Sequence, residues 1–208
     1  MDSRFDLYIK GTEGTTPERL LLKTDRDKYV TGWSADGRYL TFTTTADPKT
    51  KADLWLLPLF GDRQPVSVAR TEFRETSGSF SPDARWIAYQ SDETGRFEIY
   101  ARPLDGSAGK SGVSVNGGSS PIWSRDGKTV YFMSIDRKEM AASVRFVKET
   151  LIVDAIRPLF GLESRDIIGA LQDVDGSGTR FLAIVSDVHR VSPPITLVLN
   201  WDEELKKK

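Results

Sequence analysis

The strongest constraint on this chain is a short segment that occurs three times. Trp33-Ser34-Ala35-Asp36-Gly37-Arg38-Tyr39-Leu40-Thr41-Phe42 is echoed by Phe80-Ser81-Pro82-Asp83-Ala84-Arg85-Trp86-Ile87-Ala88-Tyr89 and by Trp123-Ser124-Arg125-Asp126-Gly127-Lys128-Thr129-Val130-Tyr131-Phe132. The copies start 47 and 43 residues apart. Each places an aromatic residue and a serine before an Asp-Gly-type turn, then a strand whose apolar residues alternate. A period of two marks a strand rather than a helix, and repeats at this spacing mark an array of one supersecondary unit.

Each unit reads as four short strands, a to d. In the first, a ends at Trp33, b covers Tyr39 to Thr44, c covers Asp53 to Leu57 and d lies near Pro65 to Ala69. The second has a ending at Phe80, b over Trp86 to Ser91, c over Phe97 to Arg102 and d near Val113 to Val115. The third is expected to have a ending at Trp123, b over Val130 to Ser134, c near Ala142 to Val147 and d near Arg157 to Phe160. The c strands share an acidic, aliphatic, aromatic, apolar order in Asp53-Leu54-Trp55-Leu56 and Glu98-Ile99-Tyr100-Ala101, and so does Asp6-Leu7-Tyr8-Ile9. A degenerate fourth copy runs from Asp173 through Gly178 to Leu182, with strand b over Arg180 to Ser186 and strand c over Ile195 to Trp201.

Four-stranded units of this kind cannot bury both faces alone. Stacked radially they form a β-propeller, whose closed rings usually have about 4–8 blades. The expected fold is an all-β propeller of antiparallel four-stranded blades, three complete and one partial at each end. One domain spans 1–208: strands c and d of a partial blade in 1–29, blades at 30–72, 73–117 and 118–161, a partial blade at 162–202 and a charged tail at 203–208. Closing the chain into four blades would supply strand c twice, so the register predicts part of a larger ring.

The repeated aspartates are explained by turn chemistry. A short polar residue opens the turn, Asp accepts backbone N–H groups, and Gly supplies the positive φ. Asp36, Asp83, Asp126 and Asp175 are expected to be structural braces, and no catalytic, cofactor-binding or metal-binding residue is assigned. Ala84 stands where glycine is expected, so that turn either avoids the left-handed region or is strained. Trp33, Trp55, Phe80, Tyr89, Tyr100, Trp123 and Phe132 recur at equivalent strand positions, which argues for core packing.

Composition narrows the chemistry further. Twenty-nine Lys and Arg offset thirty Asp and Glu, so no overall field favours nucleic acid or an anionic membrane. The basic run Lys206-Lys207-Lys208 reads as a solvated tail. The absence of cysteine removes disulfides and thiolate chemistry and leaves the compartment open. The amino terminus shows no signal-peptide pattern, and no stretch approaches the ~20 apolar residues of a membrane span.

Motifs for catalysis fall short. Leu104 to Ser111 ends like a phosphate-binding loop but lacks the first glycine, and Gly112-Val113-Ser114-Val115-Asn116 lacks the last glycine of a nucleophile elbow. Asp173, Asp175, Ser177 and Thr179 alternate as in a calcium loop, yet Ile184 stands where the bidentate Glu belongs. His189 is the sole histidine, so a His-based triad or metal cluster has no second member. No linear spacing singles out a carboxylate pair.

The set Trp-Ser-X-Asp-Gly-Arg/Lys, the strand that follows, and Phe97-Glu98-Ile99-Tyr100-Ala101-Arg102-Pro103-Leu104-Asp105-Gly106 resemble the WD-repeat-like propeller repeats of the TolB type. Arg157 to Phe160, Arg180 to Leu182 and Pro194 to Trp201 look like the end of the propellers behind bacterial eukaryotic-like serine/threonine kinase domains. The chain itself has no kinase catalytic loop, Asp-Phe-Gly or glycine-rich loop. The resemblance implies a non-catalytic sensor or scaffold that binds a protein or a small ligand, in the periplasm or outside the cell. The rival is an accessory propeller of a prolyl-oligopeptidase-type hydrolase, or a propeller enzyme in its own right. The b–c loops, at Ala46 to Ala52, Asp92 to Arg96, Ile135 to Met140 and Asp187 to Pro193, are the expected contact segments.

Overall fold

A computed structural model describes residues 5–161 and 167–185. Its elements are β1 (Leu7–Ile9), β2 (Arg19–Leu22), β3 (Lys28–Trp33), β4 (Tyr39–Asp47), β5 (Lys51–Pro58), β6 (Val66–Ala69), β7 (Glu75–Phe80) and β8 (Trp86–Ser91). They continue with β9 (Glu98–Pro103), β10 (Ser111–Gly112), β11 (Ser119–Trp123), β12 (Thr129–Met133), β13 (Lys138–Val147), β14 (Thr150–Gly161), β15 (Ile167–Val174) and β16 (Phe181–Val185). Three four-stranded antiparallel meanders, β3–β6, β7–β10 and β11–β14, are flanked by the pairs β1–β2 and β15–β16. Among the described residues there is no helix, and β1–β2 and β15–β16 do not join into one sheet.

The core lies between sheets. Leu54, Leu56 and Val68 of one sheet pack with Ile87, Tyr89 and Tyr100 of the next. Trp86, Ile99 and Val113 pack in turn with Trp123, Phe132 and Leu151, and Leu7 of the first pair packs with Leu40, Phe42 and Leu57. Strand β8 is buried along its whole length, because both its faces meet a neighbouring sheet. Face-to-face stacking of twisted four-stranded sheets, with the first strand of each innermost, is the β-propeller arrangement.

The inner strands approach closely. Each has a register break against its neighbour, between Val30 and Gly32, Thr76 and Ser79, and Ser119 and Ile122. These bulges free backbone groups to bond across sheets. Thr41 Oγ1 donates to the Gly78 carbonyl at 3.2 Å, and Ser120 N donates to Gln90 Oε1 at 2.9 Å. A Cβ on Gly78 would stand 2.9 Å from a Leu54 methyl and 3.2 Å from Thr41 Cβ, so any side chain there must push its neighbours aside.

The third blade departs from the sequence expectation. Its c strand begins at Lys138 rather than near Ala142, and d runs from Thr150 to Gly161 rather than near Arg157 to Phe160. The turn between them, at Lys148-Glu149, contains no Gly or Pro to betray it; Lys148 itself takes φ 56°. Pro158 is tolerated because β14 is an edge strand. The longer hairpin carries Phe146 onto Trp86, ring centroids 5.1 Å apart, and into a stack with Trp123 at 6.4 Å. It also aligns Glu139 with Asp53 and Glu98, since each lies near the start of strand c, opposite the b-strand residues Met133, Thr44 and Ser91. In the second blade, d is Ser111–Gly112 rather than Val113 to Val115, although Val113 is buried just after it. The expected fourth c strand, Ile195 to Trp201, lies outside the described residues.

Candidate functional site

The a–b turns are built alike. Ser34 Oγ donates to Asp36 Oδ1 at 2.7 Å, Arg38 N donates to the same oxygen at 3.0 Å, and Tyr39 N donates to Ser34 Oγ at 2.9 Å. Asp83 receives Ser81 Oγ at 2.6 Å and Arg85 N at 3.1 Å, and Asp126 receives Ser124 Oγ at 2.7 Å and Lys128 N at 3.0 Å. The Arg38 N–H and the Ser34 hydroxyl hold the Asp36 carboxyl down to about 2, and Ser124 with Lys128 N lowers that of Asp126. Ala84 adopts φ 54°, matching Gly37 at 73° and Gly127 at 70°, so the alanine takes the left-handed conformation.

The fourth turn carries the pair in reverse. Asp175 N donates to the Arg180 carbonyl and Gly178 N to the Asp175 carbonyl, both at 2.9 Å, which places Asp175 where the other turns have serine. Ser177 occupies the aspartate position and donates to Asp175 Oδ1 at 2.8 Å. Arg180 Nε reaches Asp175 Oδ2 at 2.9 Å and, with Ser177, lowers the Asp175 carboxyl below its usual range. A further Ser-X-Asp turn, missed in the sequence, closes b to c in the third blade: Ser134 Oγ donates to Asp136 Oδ1 at 2.6 Å.

These turns frame a central cleft where the inner strands converge. Its outer part, about 370 Å³, is lined by the ends of β3, β7, β11 and β15 and by the turns after them, including Trp33, Phe80, Trp123, Arg125 and Asp173. A deeper part of about 540 Å³ continues past Gly78 and Ser120. Tyr89, Tyr100, Trp123 and Phe132 are buried as core residues, whereas Trp33 is 54% exposed, against the core role expected of it. Trp33 and Trp123 both end inner strands at the cleft, but Trp123 is covered by Phe146, which stacks on it.

Two features distinguish the cleft. Trp123 Nε1 is buried with no hydrogen-bond acceptor among the described residues, an arrangement that costs free energy. Arg125 crosses the bare backbone of Gly176, where a Cβ would come within 2.7 Å of the guanidinium. No carboxylate among the described residues pairs with it. An exposed indole face and a guanidinium together suit a polypeptide segment with an apolar side chain and carboxylate acceptors. The sequence signal was available in the aromatic that precedes each Ser-X-Asp turn, but its exposure was not.

The b–c connections at 46–52, 92–96 and 135–140 fall on the opposite rim, because successive links of an antiparallel meander alternate between rims. The segment 187–193, including His189, lies outside the described residues. Among the described residues no three His, Cys, Asp or Glu side chains gather as a metal site, and no helix is long and apolar enough to cross a membrane.

Solved structures similar to this chain include TolB-type β-propellers. TolB from Acinetobacter baumannii superposes with a TM-score of 0.59 at 15% identity, covering 86% of this chain and 48% of that one. A putative TolB from Agrobacterium tumefaciens gives 0.57 at 24% identity, covering 74% and 56%. An uncharacterized protein of Agrobacterium fabrum is 30% identical over 131 residues, 62% of this chain and 43% of that protein. No family model matches the chain. The likeness establishes the fold, and the chain spans about half the length of these proteins.

Proposed function

We propose that the chain is a binding module without catalysis of its own, a single propeller domain with blades at 30–72, 73–117 and 118–161, that holds a segment of a partner protein in its central cleft. The observation that carries this reading is exposed Trp33 in one cleft with Arg125, with which no carboxylate among the described residues pairs. The TolB-type fold of its neighbours supports it as analogy. In this reading Asp36, Asp83, Asp126 and Asp175 brace the turns that shape the cleft mouth. The kinase-linked sensor is a narrower form, resting on the resemblance at 157–201 alone.

The test is affinity selection of peptides on the purified chain, followed by titration of the enriched peptide against variants. Trp33→Ala and Arg125→Ala are expected to weaken binding at least tenfold, about 1.4 kcal/mol each, while Glu93→Lys on the opposite rim leaves it unchanged. Binding lost on Glu93→Lys and kept in both cleft variants would move the site to the b–c rim. Specific turnover of a small substrate would replace the reading by the enzymatic one.

A further inference from the structure

A second cleft lies away from the channel, where β2 and the loop after it meet the outer half of the β3–β6 sheet. It encloses about 200 Å³. Its wall is apolar and flat: Leu22, and Phe42 stacked on Trp55 with ring planes 14° apart. Asp53 also lines it, with a side chain 2% exposed.

Asp53 belongs to the acidic position near the start of each c strand, and the comparison between blades is informative. Glu98 is fully engaged, by Gly117 N at 2.7 Å and Arg96 Nε at 3.1 Å on one oxygen and by Ser114 Oγ on the other. Asp6 holds Lys28 Nζ at 2.8 Å. Asp53 is a methylene shorter than Glu98, and the donors of its following loop, Thr71 N and Oγ1, go to Glu75 instead. Asp53 Oδ2 receives Thr50 Oγ1 at 2.9 Å, and Oδ1 has no hydrogen-bond partner among the described residues. An unpaired oxygen on a buried carboxylate is costly.

The chain's own side chains indicate what would satisfy it. Arg70 lies with its guanidinium 5.6 Å from the Trp55 ring centroid and 3.7 Å from Asp53 Oδ2, beyond hydrogen-bond distance. The other guanidinium at the cleft, Arg26, is committed to Asp47 at 2.9 Å. An aromatic face beside a carboxylate is a cation site, and here the cation present is half exposed and incompletely engaged.

We infer that this cleft binds an aliphatic ammonium or guanidinium cation, whose charge reaches Asp53 and whose stem lies along Phe42, Trp55 and Leu22. A lysine or arginine side chain of a peptide and a free alkylamine share this chemistry. The site is separate from the central cleft and stands or falls independently of it.

The experiment follows the indole N–H resonance of Trp55, which donates to Thr44 Oγ1 at 3.0 Å, by NMR of the whole chain titrated with n-butylammonium and n-butylguanidinium. Saturable shifts are expected, at least tenfold weaker for n-butanol and absent for butyrate. Asp53→Asn, which keeps the shape and a partner for Thr50, is expected to weaken the cation at least tenfold. Arg70→Gln, which removes the resident competitor, is expected to tighten it severalfold, a gain that a misfolded variant could not show. Blocked lysine amide is the second arm: tighter binding than butylammonium assigns the site to peptide side chains, and equal binding assigns it to free amines. Equal shifts from butanol, or undiminished cation binding in a folded Asp53→Asn chain, would overturn the inference.

Discussion

At the scale of residues, the turn is the unit of meaning. Gly37 has φ 73° and open space where a Cβ would go, so Gly37→Ala isolates the conformational cost of the left-handed region, about 1–2 kcal/mol. Ala84 holds φ 54° with that cost already built in, so Ala84→Gly should stabilise by up to about 1 kcal/mol. Urea unfolding of the two variants is expected to move the midpoint in opposite directions; movement in the same direction would contradict the shared turn geometry. Asp36 tests the brace itself. Its folded carboxyl titrates near 2, below an unfolded value near 3.9. The stabilisation is therefore present above that unfolded value and is lost as pH falls through about 2. Asp36→Asn should melt below the wild type at pH 7 and with it at pH 2, and an equal deficit at both values would deny the carboxylate its part.

Among elements, the strands that repeat were legible and those that vary were not. Trp33, Phe80 and Trp123 announced three inner strands, because the same aromatic-serine-turn order forced the same local structure. The long β13–β14 hairpin was missed because Lys148-Glu149 turns without glycine, and with it went the alignment of Glu139. The reversed Asp175–Ser177 pair was hidden because serine and aspartate exchange positions in the same turn while serine remains the donor. The contact between inner strands depends on an absence of side chain that only three dimensions reveal. Gly78→Ala would press on Leu54 and Thr41 and should destabilise by about 1–3 kcal/mol, the usual range for overpacking. An unchanged melting temperature would mean that the first two blades are not held at this distance.

At the scale of the molecule, the cleft is a product of stacking: no blade contains it, and β3, β7, β11 and β15 each contribute to its wall. This explains why the sequence showed the aromatics but not the cleft they share. Exposure of Trp33 and isolation of Trp123 Nε1 are properties of the assembled inner strands, not of any spacing. The most direct measurement of the central claim is hydrogen–deuterium exchange of the chain with and without a saturating selected peptide. Slowed exchange is predicted in the inner strands and in the turns at 34–37, 81–84 and 124–127. Protection confined to 46–52, 92–96 and 135–140, with the inner strands unchanged, would contradict it.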